Sequence, residues 1–545
     1  YKYDKIQKKF VFAWKSDRTF IDDSAPSFPA VADLDGDGTP EVIVGQTIFN
    51  GRTGIALAQF PTGVSTTTIA NSIGIGDVLS NGTQQLVFAG RVYSVQFANK
   101  NAFNTTAFTL EATAPATSLS LDRHVALADF NNDGHLDVLF VGVKALNVTT
   151  STTIVYAIWD VRNNRFLGSS AFESPIITAS GGFAIKTSIP MIGDVNGDGL
   201  LEFIFMTYNK LFCYTYNPST DAIETYWTYS VQDQSGATGI TLFDFNQDNN
   251  VELVYRDEEK LWILDGSEKN NCKMVREFDG IYSGTGNEYS IVADINNDGS
   301  AEIVTIGAQT KTSNNGTLYI LGAGDGKAWA PARKVWNQYA YNAVNINEDL
   351  TVPKYPLSPA TVFPGDGISG EVRPYNAFLQ QQTILNKNGT PLWLTPNGII
   401  TGSPVFNYNV AADSMIITIK VANEGDAAFQ NPFYISVYKD IVGGAPSYTY
   451  KYENVIIQGD SAVITFGLSE FKTKWHPFNN ILIRINDNGN GYNHQQVCDS
   501  AYRDYESSNI IASDDHVLVF KETNSQIKVA NNDILPAGCI SPTVE

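Results

Sequence analysis

The chain has little cysteine, little histidine, little positive charge and no long apolar run, and each shortage removes a class of function. Four cysteines among 545 residues, Cys213, Cys272, Cys498 and Cys539, form no CxxC pair, so zinc and dithiol chemistry have no support and one or two disulfides remain open. The five histidines, His124, His135, His476, His494 and His516, lie in no HExxH motif, and neither GxSxG nor a phosphate-binding glycine loop occurs. No catalytic residue is assigned.

Lys and Arg number 36 against 57 Asp and Glu, a formal net charge of −21, so nucleic acid and anionic membrane are excluded as partners for want of a basic surface. No run approaches the roughly 18 apolar residues of a membrane span, so direct membrane insertion is not expected. Opening at Tyr1 and closing on SPTVE, the chain reads as a mature or cut-out fragment. Helical periodicity is almost absent, whereas Thr, Ser, Asn, Val and Tyr favour strands and turns.

What the chain has instead is a repeat. ADLDGDGTPEVIVG, from Ala32, returns as ADFNNDGHLDVLFVG from Ala128, GDVNGDGLLEFIFM from Gly193, FDFNQDNNVELVYR from Phe243 and ADINNDGSAEIVTIG from Ala293. Each copy has Asp first, Asp or Asn third, Asp fifth, usually Gly sixth and Asp or Glu ninth, then an apolar run. A worn copy begins at Asp77, with Leu79 and Gln85 where ligands belong, and a fainter one, VNINEDLTVP, runs from Val344 into Pro353. The spacing of 44 to 65 residues suits one four-stranded sheet per repeat. Radial repetition of such sheets gives an all-β fold, a seven-bladed β-propeller, with six blades as the alternative. FVFAWKSD, residues 10 to 17, is expected to close the final blade from the N-terminus.

Calcium takes roughly 6 to 8 oxygen ligands, and alternating acidic or amide side chains on a tight loop converge on one such ion. The expected ligands are Asp33, Asp35, Asp37, Thr39 and Glu41; Asp129, Asn131, Asp133, His135 and Asp137; Asp194, Asn196, Asp198, Leu200 and Glu202; Asp244, Asn246, Asp248, Asn250 and Glu252; and Asp294, Asn296, Asp298, Ser300 and Glu302. Thr39, His135, Leu200, Asn250 and Ser300 contribute backbone carbonyls. Gly38, Gly134, Gly199 and Gly299 are read as left-handed turn residues, with Asn249 replacing glycine in the fourth copy. An EF-hand is excluded, because flanking helices and a twelfth-position Glu are missing. About five structural Ca2+ ions are expected.

These loops resemble the FG-GAP repeats of integrin α-subunit propellers and their bacterial relatives, over roughly residues 20 to 350. The resemblance implies an exported, calcium-bearing propeller that binds an extracellular protein or glycan on the face away from the loops. The segment 329–353 looks like one that follows such repeats in bacterial surface proteins. Pro353, Pro356, Pro359 and Pro364 mark an extended linker over 353–389, and alternating strands such as SMIITIKVANEG make 390–512 an immunoglobulin-like β-sandwich resembling the CARDB type. Thus 1–352 is read as the propeller and 513–545 as an extension or the start of a further repeat domain. The whole resembles a multidomain surface protein of the Bacteroidota, in which the DSA or DSM triplets at Ser24, Ser414, Ser461 and Ser500 are glycosylation candidates. The leading reading is a non-catalytic adhesion module. A calcium-dependent polysaccharide lyase and a structural stalk are the alternatives.

Overall fold

The computed structural model describes residues 1–489 except 5, 19–27, 62–71, 119, 122, 146–147, 179–184, 287, 313–314, 325–327, 366, 368–369, 393–395, 410, 426, 440–444, 472–473 and 475–479, together with Gln495 and a strand at 517–519. The described residues are almost wholly strand and turn, with one 3-10 turn at Ala343–Asn345. None of their helices is long and apolar enough to cross a membrane. Contacts divide the chain into one unit of residues 1–293, 303–320 and 333–391 and another of 294–302, 321–332 and 392–545.

β1 (Lys2–Asp4) and β2 (Lys9–Val11) pair as a hairpin. Antiparallel sheets then follow in chain order. The first is β3 (Ala30–Ala32), β4 (Glu41–Val44), β5 (Thr47–Asn50) and β6 (Ala56–Gln59), and the second is β7 (Gly74–Gly76), β8 (Gln85–Phe88), β9 (Arg91–Val95) and β10 (Phe108–Thr113). The third is β11 (His124–Ala128), β12 (Asp137–Val143), β13 (Ser151–Asp160) and β14 (Arg165–Thr178), and the fourth is β15 (Met191–Gly193), β16 (Glu202–Thr207), β17 (Lys210–Asn217) and β18 (Ala222–Ser230). The fifth is β19 (Ile240–Phe243), β20 (Glu252–Arg256), β21 (Lys260–Asp265) and β22 (Lys273–Asp279), and the sixth has three strands, β23 (Ile291–Ala293), β24 (Glu302–Ala308) and β25 (Gly316–Leu321).

The second strand of each sheet carries the apolar run that follows an acidic loop. A continuous run, rather than an alternating one, is what a strand covered on both faces requires. Phe203, Ile204, Phe205 and Met206 of β16 are all fully buried. The cover comes from neighbouring sheets: Ile43 and Ile48 share a core with Leu86 and Phe88, Val87 and Val92 with Val138 and Phe140, and Leu139 and Val141 with Phe203 and Leu253. The first strands are neighbours in order, β7 touching β11, β11 touching β15, β15 touching β19 and β19 touching β23.

The segment from Arg333 to Thr383 runs along these first strands. Val31 N–H donates to Gln338 Oε1 (2.7 Å), and Asn376 bonds both ways with the backbone of Asp129. Ile192 and Phe378 exchange backbone bonds, Leu242 bonds to Leu379 and Gln381, and Gln381 Nε2 donates to Val292 O (2.7 Å). The expected linker over 353–389 is therefore packed into the first unit. The amides of Asn376 and Gln381 can be buried there because strand backbones satisfy them.

Two other expectations fail. The copy at Val344 forms no seventh sheet among the described residues: Asn347 and Thr351 close a turn on each other, and Pro353 has no N–H for a ladder. Residues 10 to 17 do not join the last sheet. β2 pairs with β1, while Trp14 Nε1 donates to Gly51 O (2.8 Å) and Ala56 N–H to Asp17 Oδ1 (2.8 Å), beside the first sheet. Gly54 makes the slot: a Cβ there would lie 2.3 Å from the Trp14 ring, and its φ of +77° suits glycine.

In the second unit, β26 (Gly398–Ile400) and β27 (Val405–Asn409) pair with one edge of β28 (Ser414–Asn423), and β31 (Ser461–Ser469) with the other. β30 (Tyr448–Tyr452), β29 (Phe433–Lys439), β32 (Asn480–Ile485) and β33 (Val517–Val519) form a second sheet in that order. Alternate residues Met415, Ile417, Ile419 and Val421 of β28 meet Phe433, Ile435 and Val437 of β29 in one core. Ser414 and Ser461 open strands of the first of these sheets, whereas Ser24, Ser500, Cys498, Cys539 and most of 513–545 lie outside the described residues.

Candidate metal centre

Each acidic loop joins the first two strands of its sheet. In the loops that start at Asp33, Asp129, Asp194 and Asp244, the residue before the loop pairs with the ninth-position carboxylate, as Ala32 with Glu41 and Gly193 with Glu202. The loop is thereby closed across a strand pair. The same hydrogen bonds recur in all five copies. The first-position carboxylate accepts the N–H of position 6 at 2.7 to 3.1 Å, and the ninth-position carboxylate accepts that of position 2 at 2.9 to 3.1 Å. The fifth-position carboxylate accepts the N–H of position 7, from Thr39, His135, Leu200, Asn250 or Ser300.

The backbone makes this convergence possible. Position 6 is left-handed throughout, with φ of +87° at Gly38 and +69° at Asn249. Position 4 is left-handed as well, at Gly36, Asn132, Gly197, Gln247 and Asn297, a feature the sequence reading missed although Gly and Asn there signal it. Two reversals of hand turn positions 1, 3 and 5 inward together.

The ninth-position carboxylates are all buried and the first-position ones buried or half-buried, whereas Asp37, Asp133, Asp198 and Asp248 at position 5 are exposed. Glu41 is 0% exposed and Glu202 1% exposed. Burial first, and repulsion from neighbouring aspartates second among the raising causes, push Glu41, Glu202 and Glu252 up to about 8, Glu302 to about 7, and Asp194 and Asp244 to about 6. Asp137 is held well above the usual range, and Asp129 and Asp294 are raised, with burial the main cause in each. Ionised together, these groups would repel one another.

The donor set fits a hard cation. It is all oxygen, and in the first loop Asp33, Asp35 and Asp37 offer oxygens within 4.8 Å of one another. Asp35 Oδ1 and Glu41 Oε1 are buried there without a hydrogen-bond partner. The worn loop supplies the contrast. Gln85 Nε2 donates to Asn81 Oδ1 (3.1 Å) and to Thr83 O (2.8 Å), so an amide N–H stands where fifth- and seventh-position oxygens would face an ion.

The fifth loop, within the second unit, is the most enclosed. Ala428 N–H donates to Asp298 O (2.7 Å), Gln430 Nε2 to Asp298 Oδ2 (3.4 Å) and Trp329 N–H to Ser300 Oγ (3.1 Å), leaving Asp294, Asp298, Ser300 and Glu302 all buried. Sequence spacing gave no sign of these partners, which come from distant segments.

Trp159 and Trp227 are fully buried packing residues. An open cleft of about 450 Å³ between β14 and β17–β18 is walled by Tyr156, Phe212 and Tyr214, whose rings are nine-tenths buried or more. Cys213 and Cys272 are free thiols.

No curated protein matches the chain. Among solved structures, it is similar to the Vibrio cholerae biofilm matrix protein Bap1, at 13% identity and a TM-score of 0.43 over 68% of this chain and 78% of that one. It is also similar to the Photorhabdus luminescens Tc holotoxin pore, at 14% identity and a TM-score of 0.20 over 48% of this chain and 14% of that one. Both are distant likenesses. Residues 194–255, which run from the third intact loop through the fourth sheet and the fourth loop into β20, match the FG-GAP-like repeat.

Proposed function

We propose that the chain is a calcium-stabilised, extracellular adhesion or ligand-binding module of a surface protein, and that it is not an enzyme. The observation that carries this is the fivefold recurrence of one loop geometry, each copy with a buried ninth-position carboxylate. A single acidic turn is an ordinary Asx-rich turn; five in phase with strands are a metal-binding repeat.

In this reading the six sheets are blades of a β-propeller, with the segment from Arg333 to Thr383 filling its axis, and the sheets of the second unit form an immunoglobulin-like sandwich. Each Ca2+ is held by positions 1, 3, 5 and 9 and the carbonyl of position 7. It neutralises carboxylates that burial otherwise disfavours, and it fixes the link between the first two strands of its sheet. Such a scaffold holds the loops on the opposite face rigid, which favours binding by lowering the ordering cost. The FG-GAP-like match of 194–255 supports the exported, adhesive setting.

The test is a combined glycan and extracellular-matrix array in calcium buffer, with incubation against pectic polysaccharides in parallel. Saturable binding to a narrow ligand group that disappears in EDTA is expected. Release of unsaturated sugar ends in the parallel incubation would instead establish a lyase.

A further inference from the structure

The first acidic loop differs from the others at its third position, where Asp35 replaces Asn131, Asn196, Asn246 and Asn296. In the last three loops the Asn Nδ2 donates to the fifth-position carboxylate, Asp198, Asp248 or Asp298, at 3.0 Å. Asn246 and Asn296 reach toward Glu252 and Glu302 as well. A neutral amide thus sits between the acids. The Oδ1 of the same amide accepts the fifth-position N–H at 2.9 to 3.0 Å, so a neutral oxygen with a second lone pair already lies in the loop for an arriving cation.

Asp35 has no N–H to offer, and a lysine takes the place. Lys100, in the connection between β9 and β10, contacts the Asp35 carboxylate through Nζ and donates to Asp37 Oδ2 (2.9 Å). Its ammonium also lies 5.8 Å from the centroid of the Phe97 ring. The four carboxylates of this loop and one ammonium leave a net charge of −3, the same as three carboxylates leave in each other loop. Yet the buried Asp35 Oδ1 and Glu41 Oε1 are still unpartnered. An ammonium makes only three donor contacts, whereas calcium takes roughly 6 to 8 oxygens and satisfies these as well.

We infer that Lys100 is a built-in competitor for the cation of the first loop: calcium enters only by expelling its ammonium from between Asp35 and Asp37. This rests on the reading of the five loops as calcium sites. Unlike the amide, an ammonium has no lone pair to offer a cation and must leave. The first loop is therefore the weakest of the five sites, by tenfold or more, and its filling frees the Lys100 side chain. The connection itself stays anchored, because Asn104 bonds to Leu57 O through both its N–H (2.7 Å) and Nδ2 (3.2 Å).

Calcium titration of the full chain by calorimetry, with bound metal counted after equilibrium dialysis, tests the inference. The wild type is expected to show four tight sites and one at least tenfold weaker. Lys100→Met should bring the fifth into the tight class, while Lys100→Arg should keep the split. Labelling of the Lys100 amine by acetic anhydride, read by mass spectrometry, should rise over the calcium range of the weak phase and no earlier. Five sites of one affinity in the wild type, or a weak phase that survives in Lys100→Met, would overturn it. Binding of no calcium by either protein would remove the calcium reading itself, a result distinct from an unchanged split.

Discussion

The buried carboxylates make stability depend on pH in a direction that calcium should reverse. Glu41, Glu202 and Glu252 have folded-state values near 8 against about 4.5 for the free side chain, with burial the main cause. Between those limits the folded protein holds protons that the unfolded chain has released, so stability falls as pH rises from about 5 to about 8. A shift of this size on a fully buried glutamate corresponds to something on the order of 4 kcal/mol once the group is ionised. Calcium binds only the deprotonated form, so it adds little at pH 5 and most at pH 8. Thermal unfolding followed by circular dichroism at three pH values, in EDTA and in millimolar calcium, reads both effects. The melting temperature in EDTA should drop by several degrees from pH 5 to pH 8, while in calcium it should hold or rise. A melting temperature in EDTA that climbs over this interval, or a calcium effect no larger at pH 8 than at pH 5, would refute the reasoning.

Further substitutions probe the loops and the segment along the first strands. Replacing Leu79 by Asn, Asn81 by Asp and Gln85 by Glu together should restore the worn loop and add one equivalent of bound calcium, counted by plasma emission after dialysis. Gln381→Leu strips partners from Val292 O, Val335 O and the Tyr341 hydroxyl, and should cost about 3 kcal/mol in urea unfolding of the first unit. Gly266→Ala places a Cβ 2.7 Å from the buried Trp227 ring and should cost about 1 to 3 kcal/mol, with a change in tryptophan fluorescence as a second readout.

The loops were legible in the sequence because their chemistry is local. Positions 1, 3, 5, 6 and 9 lie within nine residues, and a glycine or asparagine at a required left-handed position leaves its mark in the chain itself. The strands were legible for the same reason: a continuous apolar run such as FIFM, from Phe203, announces a strand covered on both faces. The sequence therefore determined the all-β class, the repeat and the candidate ligands.

Tertiary structure decided what depends on residues far apart. That 353–389 is packed rather than free follows from Asn376 and Gln381 meeting strand backbones at Asp129 and Val292, and prolines alone do not reveal such partners. Trp14 settles beside the first sheet because Gly54 leaves it a slot, so the strand-like look of residues 10 to 17 misled. Lys100 meets Asp35 across a sequence separation of 65 residues, and only the extra acid at Asp35 hinted that a cation was needed. Local periodicity encodes elements and loop chemistry; burial and charge compensation are settled only when distant segments pack together.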